Sequence, residues 1–250
     1  MWDKPAVLNG IANVLFAAAF VLIAYATMHF GMRLPIFPLR EVRITEPLAH
    51  VTPQQIEAIV GREVKGNFLT LDLERARAGF EKLPWVRGVN VRRQWPDRLD
   101  VSLEEHLPLG RWGAGALVNT YGELFAAAYD ASLPLFVGPP GSETEIAIQY
   151  GYFKRSLAPL NLAPVEVQVS ARRAWQVKLA NGTRLQLGRE QVEPRLDRFV
   201  AVYERTVGRL QRRLDYVDLR YSNGFAVGIP ELAREPSAKP IARKNTRSTG

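Results

Sequence analysis

The sequence predicts an α+β protein: an N-terminal transmembrane helix, a small β-α-α-β-β module, and a mostly antiparallel β domain carrying one long packing helix. Three observations predict it. No charged side chain occurs between Lys4 and Arg33. Two capped amphipathic stretches between residues 52 and 83 are enclosed by runs in which apolar and polar residues alternate. Beyond residue 107, short alternating runs broken by glycine prevail, with one sustained helical period from Gln191 to Leu214.

Nine of the twenty residues from Ile11 to Phe30 are Leu, Ile, Val or Phe, and a helix of roughly 20 residues is as long as a bilayer core is thick. Residues 11–32 are therefore read as a membrane span, after a tail of residues 1–10. Ala24-Tyr25-Ala26 also fits the cleavage site of a signal peptide, but the apolar run continues past it to Phe30. Counting charges near the span sets Lys4, offset by Asp3, against Arg33, Arg40 and Arg43, which would leave the large part inside. Long domains translocate largely regardless of such charges, so orientation stays open on this ground.

After the span, Leu34-Pro35-Ile36-Phe37-Pro38 cannot continue a helix, because proline lacks a donor and restricts its predecessor. Val42 and Ile44 alternate with Arg43 and Thr45 as a strand. Thr52-Pro53-Gln54-Gln55 offers a cap, a proline in the first turn and a glutamine that can close a capping box, with Ile56, Ile59 and Val60 as the buried stripe. A second helix starts at Asp72 and places Leu73, Ala76, Phe80 and Leu83 on one face. Val89 and Val91, a turn at Trp95-Pro96-Asp97-Arg98, and Leu99, Val101 and Leu103 complete two more strands. This unit is expected over residues 37–106.

The second unit, 107–230, begins with short strands at Leu107–Trp112, Ala116–Asn119 and Glu123–Phe125. Glu143–Leu157 is expected to be a helix with Ile146, Ile148, Tyr152 and Phe153 as apolar contacts. Trp175, Val177 and Leu179 alternate with polar neighbours, and Asn181-Gly182 is a strong hairpin signal before the return strand at Arg184–Leu187. Gln191–Leu214 carries Val192, Leu196, Phe199, Val200, Tyr203, Val207, Leu210 and Leu214 on one stripe. Tyr216–Arg220 and Phe225–Ile229 are closing strands, with Asn223-Gly224 as a tight turn. Residues 231–250, with two prolines and five basic against two acidic residues, are expected to be a disordered basic tail.

The composition narrows the chemistry. The chain has no cysteine, which removes disulfides, thiol nucleophiles and thiolate metal sites. Its formal charge of +8 lies wholly beyond the span and suits acidic proteins, anionic lipid or nucleic acid, although no nucleic-acid motif accompanies it. His29, His50 and His106 are scattered without ligand spacing, and Ser142 has no base in view. Glu104 and Glu105 are adjacent strand residues, so they point to opposite faces and cannot share a substrate. No phosphate loop, nucleophile elbow or zinc helix motif occurs. The reading is therefore no enzyme, no cofactor and no metal. Binding by strand addition has a better basis, because a closing strand at Phe225–Ile229 followed by a polar tail is expected at a sheet edge.

LPWVRGVNVRRQWPDRLDVSLEE at Leu83–Glu105 resembles a POTRA domain. With Arg111-Trp112, LVNTYGELF at Leu117–Phe125, LPLFVGPPGS at Leu133–Ser142, ARRAWQVKLANGTRLQLGR at Ala171–Arg189 and YVDLRYSNGFAVGI at Tyr216–Ile229, the chain is similar to the FtsQ/DivIB family of bacterial cell-division proteins from end to end. That resemblance implies a single-pass scaffold of the inner membrane at the septum, with a cytoplasmic N-terminus and periplasmic domains, linking early to late division proteins. It implies pairing of the last strand with FtsB, itself bound to FtsL, and further contacts with proteins such as FtsK, FtsW, FtsI and FtsN. On matching positions the partner-binding residues are Tyr221, Asn223, Gly224, Phe225, Ala226, Val227, Gly228 and Ile229, with Arg172 or Arg173 meeting an acidic residue. Arg92, Arg93 and Trp95 are the candidate POTRA surface. The family carries an aromatic near the end of the last strand, where this chain has Ile229. The alternative is a POTRA-containing outer-membrane assembly or secretion factor, which would carry several POTRA copies or a barrel pattern.

Overall fold

A computed structural model describes residues 5–33, 38–210 and 212–230. The expected basic tail, most of the spacer and the first four residues lie outside these. The chain forms two compact units, Met1–His106 and Leu107–Gly250.

The first unit begins with helix α1 (Pro5–Arg33). Its stretch Asn9–Gly31, 23 residues, has the length and composition of a membrane span. Then follow β1 (Glu41–Ile44), α2 (Pro53–Glu63), α3 (Leu73–Phe80), β2 (Val86–Gln94) and β3 (Arg98–Glu105). Both short helices start as their sequences dictate. The Thr52 hydroxyl accepts from the Gln55 N–H and the Gln55 side chain accepts from the Thr52 N–H at 2.9 Å, closing a capping box. Asp72 accepts from the Arg75 N–H at 3.0 Å and caps α3. The sheet order is β1-β3-β2, with β1 parallel and β2 antiparallel to the central strand. Phe80, Leu99 and Val101 are fully buried between this sheet and the helices; each such side chain contributes about 1.5–3 kcal/mol by leaving water.

Glu104 and Glu105 do diverge. Glu104 pairs with Arg87 at 2.8 Å on the exposed face. Glu105 turns inward and accepts from three consecutive backbone N–H groups: Ala49 at 3.0 Å, His50 at 3.0 Å and Val51 at 2.8 Å. The His50 ring lies 3.3 Å away and stacks on Trp85 at a centroid distance of 3.7 Å. Burial pushes the Glu105 carboxyl up, but the donated N–H groups of Val51, His50 and Ala49 outweigh it and leave it below its ordinary 4.5. One carboxylate thus fastens the last strand of the unit to the loop that leads into α2.

The second unit comprises β4 (Pro108–Trp112), β5 (Ala116–Asn119), β6 (Leu124–Phe125), β7 (Leu135–Val137), α4 (Glu143–Leu157), β8 (Pro164–Val169), β9 (Trp175–Leu179), β10 (Arg184–Gly188), α5 (Val192–Val202), β11 (Tyr216–Asp218) and β12 (Ala226–Gly228). The strands form one nine-stranded sheet in the order β12-β11-β10-β9-β8-β7-β4-β5-β6. Five of its eight neighbour pairs are antiparallel; β10–β11, β8–β7 and β7–β4 are parallel. Helices α4 and α5 supply Ile146, Phe153, Leu157, Leu196 and Phe199 to a core that includes Phe136, Val167, Val177, Leu185 and Val217.

Three local expectations change. On α4 the buried stripe is Ile146, Tyr150, Phe153 and Leu157, spaced four, three and four residues apart, whereas Ile148 points away and is 67% exposed. The α-helix expected over Gln191–Leu214 stops at Val202 and continues as two 3-10 segments, Tyr203–Arg205 and Val207–Leu210. Thr206 is the cause: its hydroxyl bonds back to the Val202 carbonyl at 2.8 Å while its N–H is shared between Val202 and Tyr203. Val207 and Leu214 stay buried, but Leu210 comes out to 41% exposure. Asn181-Gly182 forms the expected hairpin turn, with Gly182 at φ +91° and Asn181 accepting from the Thr183 N–H. Asn223-Gly224 instead lies within a longer connection, Leu219–Phe225, between β11 and β12.

Removing the Glu105 carboxylate leaves three backbone N–H groups without their acceptor, two of them part-buried. Glu105→Ala is expected to cost about 2–4 kcal/mol in urea unfolding of the soluble part at neutral pH. Because the folded carboxyl titrates below its unfolded value, this stability is present above the ordinary carboxylate range. It is lost as pH falls through and below that range, so the gap between the two proteins narrows toward acid pH.

Candidate partner-binding edge

An open sheet has two ends, and β12 is one of them. It pairs antiparallel with β11, Tyr216 opposite Gly228 and Asp218 opposite Ala226, and has no strand on its other side among the described residues. Phe225, Val227 and Ile229 face inward and pack on the core; Phe225 meets Phe199 edge to face at 5.9 Å. Ala226 and Gly228 therefore face the opposite side of the sheet. Gly228 is required there, because a Cβ would run into the Tyr216 ring. Ile229 is among the inward side chains.

The connection before β12 holds the rest of the expected group. Tyr221 is 59% exposed. Arg220 grips the buried Asp218 through two contacts at 2.9 and 2.6 Å, and this guanidinium holds the Asp218 carboxyl below the usual carboxylate range against the effect of burial. On α5, Arg198 donates to the Ser222 carbonyl. Between α5 and this connection lies an open hollow of about 510 Å³, floored by Phe199, Val202, Leu219 and Phe225 and rimmed by Arg195 and Arg198. Sequence reasoning missed it. Thr206, between the two 3-10 segments that follow α5, also lines the hollow.

Tyr221, Asn223, Gly224, Phe225, Ala226, Val227, Gly228 and Ile229 thus form one continuous edge segment. Arg172 and Arg173 do not join it. They lie in the β8–β9 turn, at the sheet end where β12 begins, but β9 is three strands in from β12, about 14 Å at the usual strand spacing. Arg173, with φ +61°, is committed to Glu145 of α4, while Arg172 is exposed. In the first unit, Arg92 pairs with Asp100 across the β2–β3 ladder at 3.1 Å, and Arg93 reaches the Leu71 carbonyl at 2.5 Å. Trp95 stands out from the turn between those strands, 77% exposed. Among the described residues no three His, Asp or Glu side chains are grouped to hold a metal ion.

Two family descriptions match the chain: a POTRA domain of the FtsQ type over residues 37–106, and the C-terminal region of the cell-division proteins FtsQ/DivIB over 110–220. The FtsQ cell-division protein of Nitrosospira multiformis is 49% identical over 231 residues, covering 90% of this chain and 98% of that one. The chain belongs to the FtsQ/DivIB family. The FtsQ of Burkholderia pseudomallei is 43% identical over 91% of this chain and 94% of its own length, and that of Bordetella pertussis 34% over 98% and 100%. The FtsQ-type module is the β-α-α-β-β unit, and the FtsQ/DivIB match ends at Arg220, within the connection that leads into β12.

Gly228→Ala is expected to push β12 off β11, at a cost of about 1–3 kcal/mol for overpacking against the Tyr216 ring. Hydrogen–deuterium exchange of the soluble part checks this: peptides covering residues 225–229 should exchange faster, while those covering β9 and β10 stay protected.

Proposed function

We propose that this chain is a non-enzymatic, single-pass scaffold of the bacterial division machinery whose free β12 edge pairs with an extended segment of FtsB, and through it with FtsL. Helix α1 holds it in the inner membrane at the septum, with the N-terminus in the cytoplasm and both units in the periplasm. There it links early to late division proteins.

The observation that carries the reading is the place of β12 at the end of an open sheet. Its outer N–H and C=O groups need partners, and an added strand supplies them with the geometry of the sheet itself. Three residues of ladder are a small interface, so side chains next to the strand must supply the rest. Tyr221 is a rigid aromatic anchor on one flank of β12, and the hollow beside α5 accepts an apolar side chain from the partner. Arg172 engages an acidic residue only where the partner continues past its strand across the sheet end. Anchorage of both proteins in one membrane raises their effective concentration, so a modest interface holds the complex.

The test is titration of the soluble part with the FtsB periplasmic segment. Tyr221→Ala and Ala226→Glu, each with an unchanged circular dichroism spectrum, are expected to weaken binding about tenfold or more, equivalent to ~1.4 kcal/mol or greater. Undiminished capture by both variants removes β12 as the docking strand.

A further inference from the structure

We propose that the β2–β3 hairpin of the first unit rests on the bilayer surface, with the Trp95 ring in the headgroup layer. Trp95 is the most exposed large apolar side chain among the described residues, at 77%, above those of the membrane helix itself. An indole left so fully in water contributes nothing to the core, whereas its apolar body and N–H suit a membrane–water boundary.

Chain geometry holds this hairpin at the membrane. The Arg40 N–H donates to the Asp97 carbonyl at 2.9 Å, and Glu41 opens β1 opposite Arg98, the first residue of β3. The chain therefore comes into the unit at the hairpin. From Arg33, the last residue of α1, to Arg40 is seven residues, which span at most about 25 Å. The opposite end of the sheet, where β3 finishes at Glu105, lies a further eight-residue strand away. Of the two ends of the unit, only the Trp95 end is confined near the lipid.

The charges around the turn permit the contact. Each nearby acid is matched by an arginine: Asp97 by Arg40, Glu41 by Arg98 and Asp100 by Arg92. Arg93 adds a cation held by a carbonyl, so the patch is net positive and is attracted to anionic lipid. A single tryptophan is a weak anchor by itself. On a short tether it meets the surface at high effective concentration and fixes which way the unit faces.

The inference rests on α1 spanning a bilayer, and the experiment separates the two. Because the chain has no cysteine, Gln94→Cys places a single environment-sensitive fluorophore beside Trp95 in the full-length protein. The protein is reconstituted into phosphatidylcholine vesicles containing a minority of phosphatidylglycerol. The expected result is a blue-shifted emission that lipids spin-labelled at the headgroup quench. Both effects are lost when Trp95→Ala is added, and a label introduced by Glu104→Cys, at the opposite end of the same sheet, shows neither. Vesicle flotation with no quenching at position 94, or quenching that persists in Trp95→Ala, overturns the hairpin contact and leaves the anchor standing. Failure to float overturns both. A fluorophore that shifts only when other division proteins are added identifies the hairpin as a protein-docking site and overturns the lipid contact.

Discussion

Strand pairing is satisfied between neighbours and unsatisfied at the ends, and the second unit is arranged around that constraint. Its sheet does not close, so the main chain of its terminal strand keeps one row of hydrogen-bonding groups without a protein partner among the described residues. What keeps β12 in the sheet at all is its inner face: Phe225, Val227 and Ile229 are keyed into the core, and Phe225 meets Phe199 of α5. The outer face is stripped to Ala226 and Gly228. This edge is anchored on one face and bare along its rim, and a hollow lined in part by Thr206 lies beside it.

Both units of this FtsQ/DivIB family member use polar side chains to hold their loops in place. Three polar groups have structural duties: the half-buried Glu105 collects three backbone donors, the buried Asp218 holds Arg220, and the buried Asn119 accepts from the Tyr121 and Glu123 N–H groups of its own turn. Glu105 and Asp218 each fasten a loop to a strand. The perturbed titrations at Glu105 and Asp218 follow from those fastenings.

Much of the fold was legible because it is locally encoded. The caps at Thr52 and Asp72, the alternation through β2, β3, β9 and β10, and the Asn181-Gly182 turn each depend on a few neighbouring residues. The misreadings have both local and long-range causes. Ile148 looks like a core residue in composition, yet the α4 stripe through Tyr150 and Phe153 turns it outward. The apolar period of Gln191–Leu214 survives in what is buried, but a back-bonding threonine changes the helix type beneath it. Asn223-Gly224 has the composition of a tight turn, but the β11–β12 register places both residues in a longer connection. In the candidate site, the run from Tyr221 to Ile229 was legible as one segment. The strand order that sets Arg172 and Arg173 apart from it, and the hollow next to it, come from long-range packing that no short window of sequence contains.

The parallel pairing of β1 with β3 has a mechanical consequence. The chain enters the sheet of the first unit at the start of β1 and leaves it at the far end of β3, and these two strands are direct neighbours running the same way. Tension between the membrane and the second unit would therefore load their four-residue ladder in shear, straining its rungs together rather than unzipping them one at a time. Glu105, at the trailing end of β3, ties that strand to the loop before α2 and adds a brake where the pull would be applied. A small module connected this way behaves as a stiff link between the apolar helix and the second unit, one that yields only when its rungs give way together.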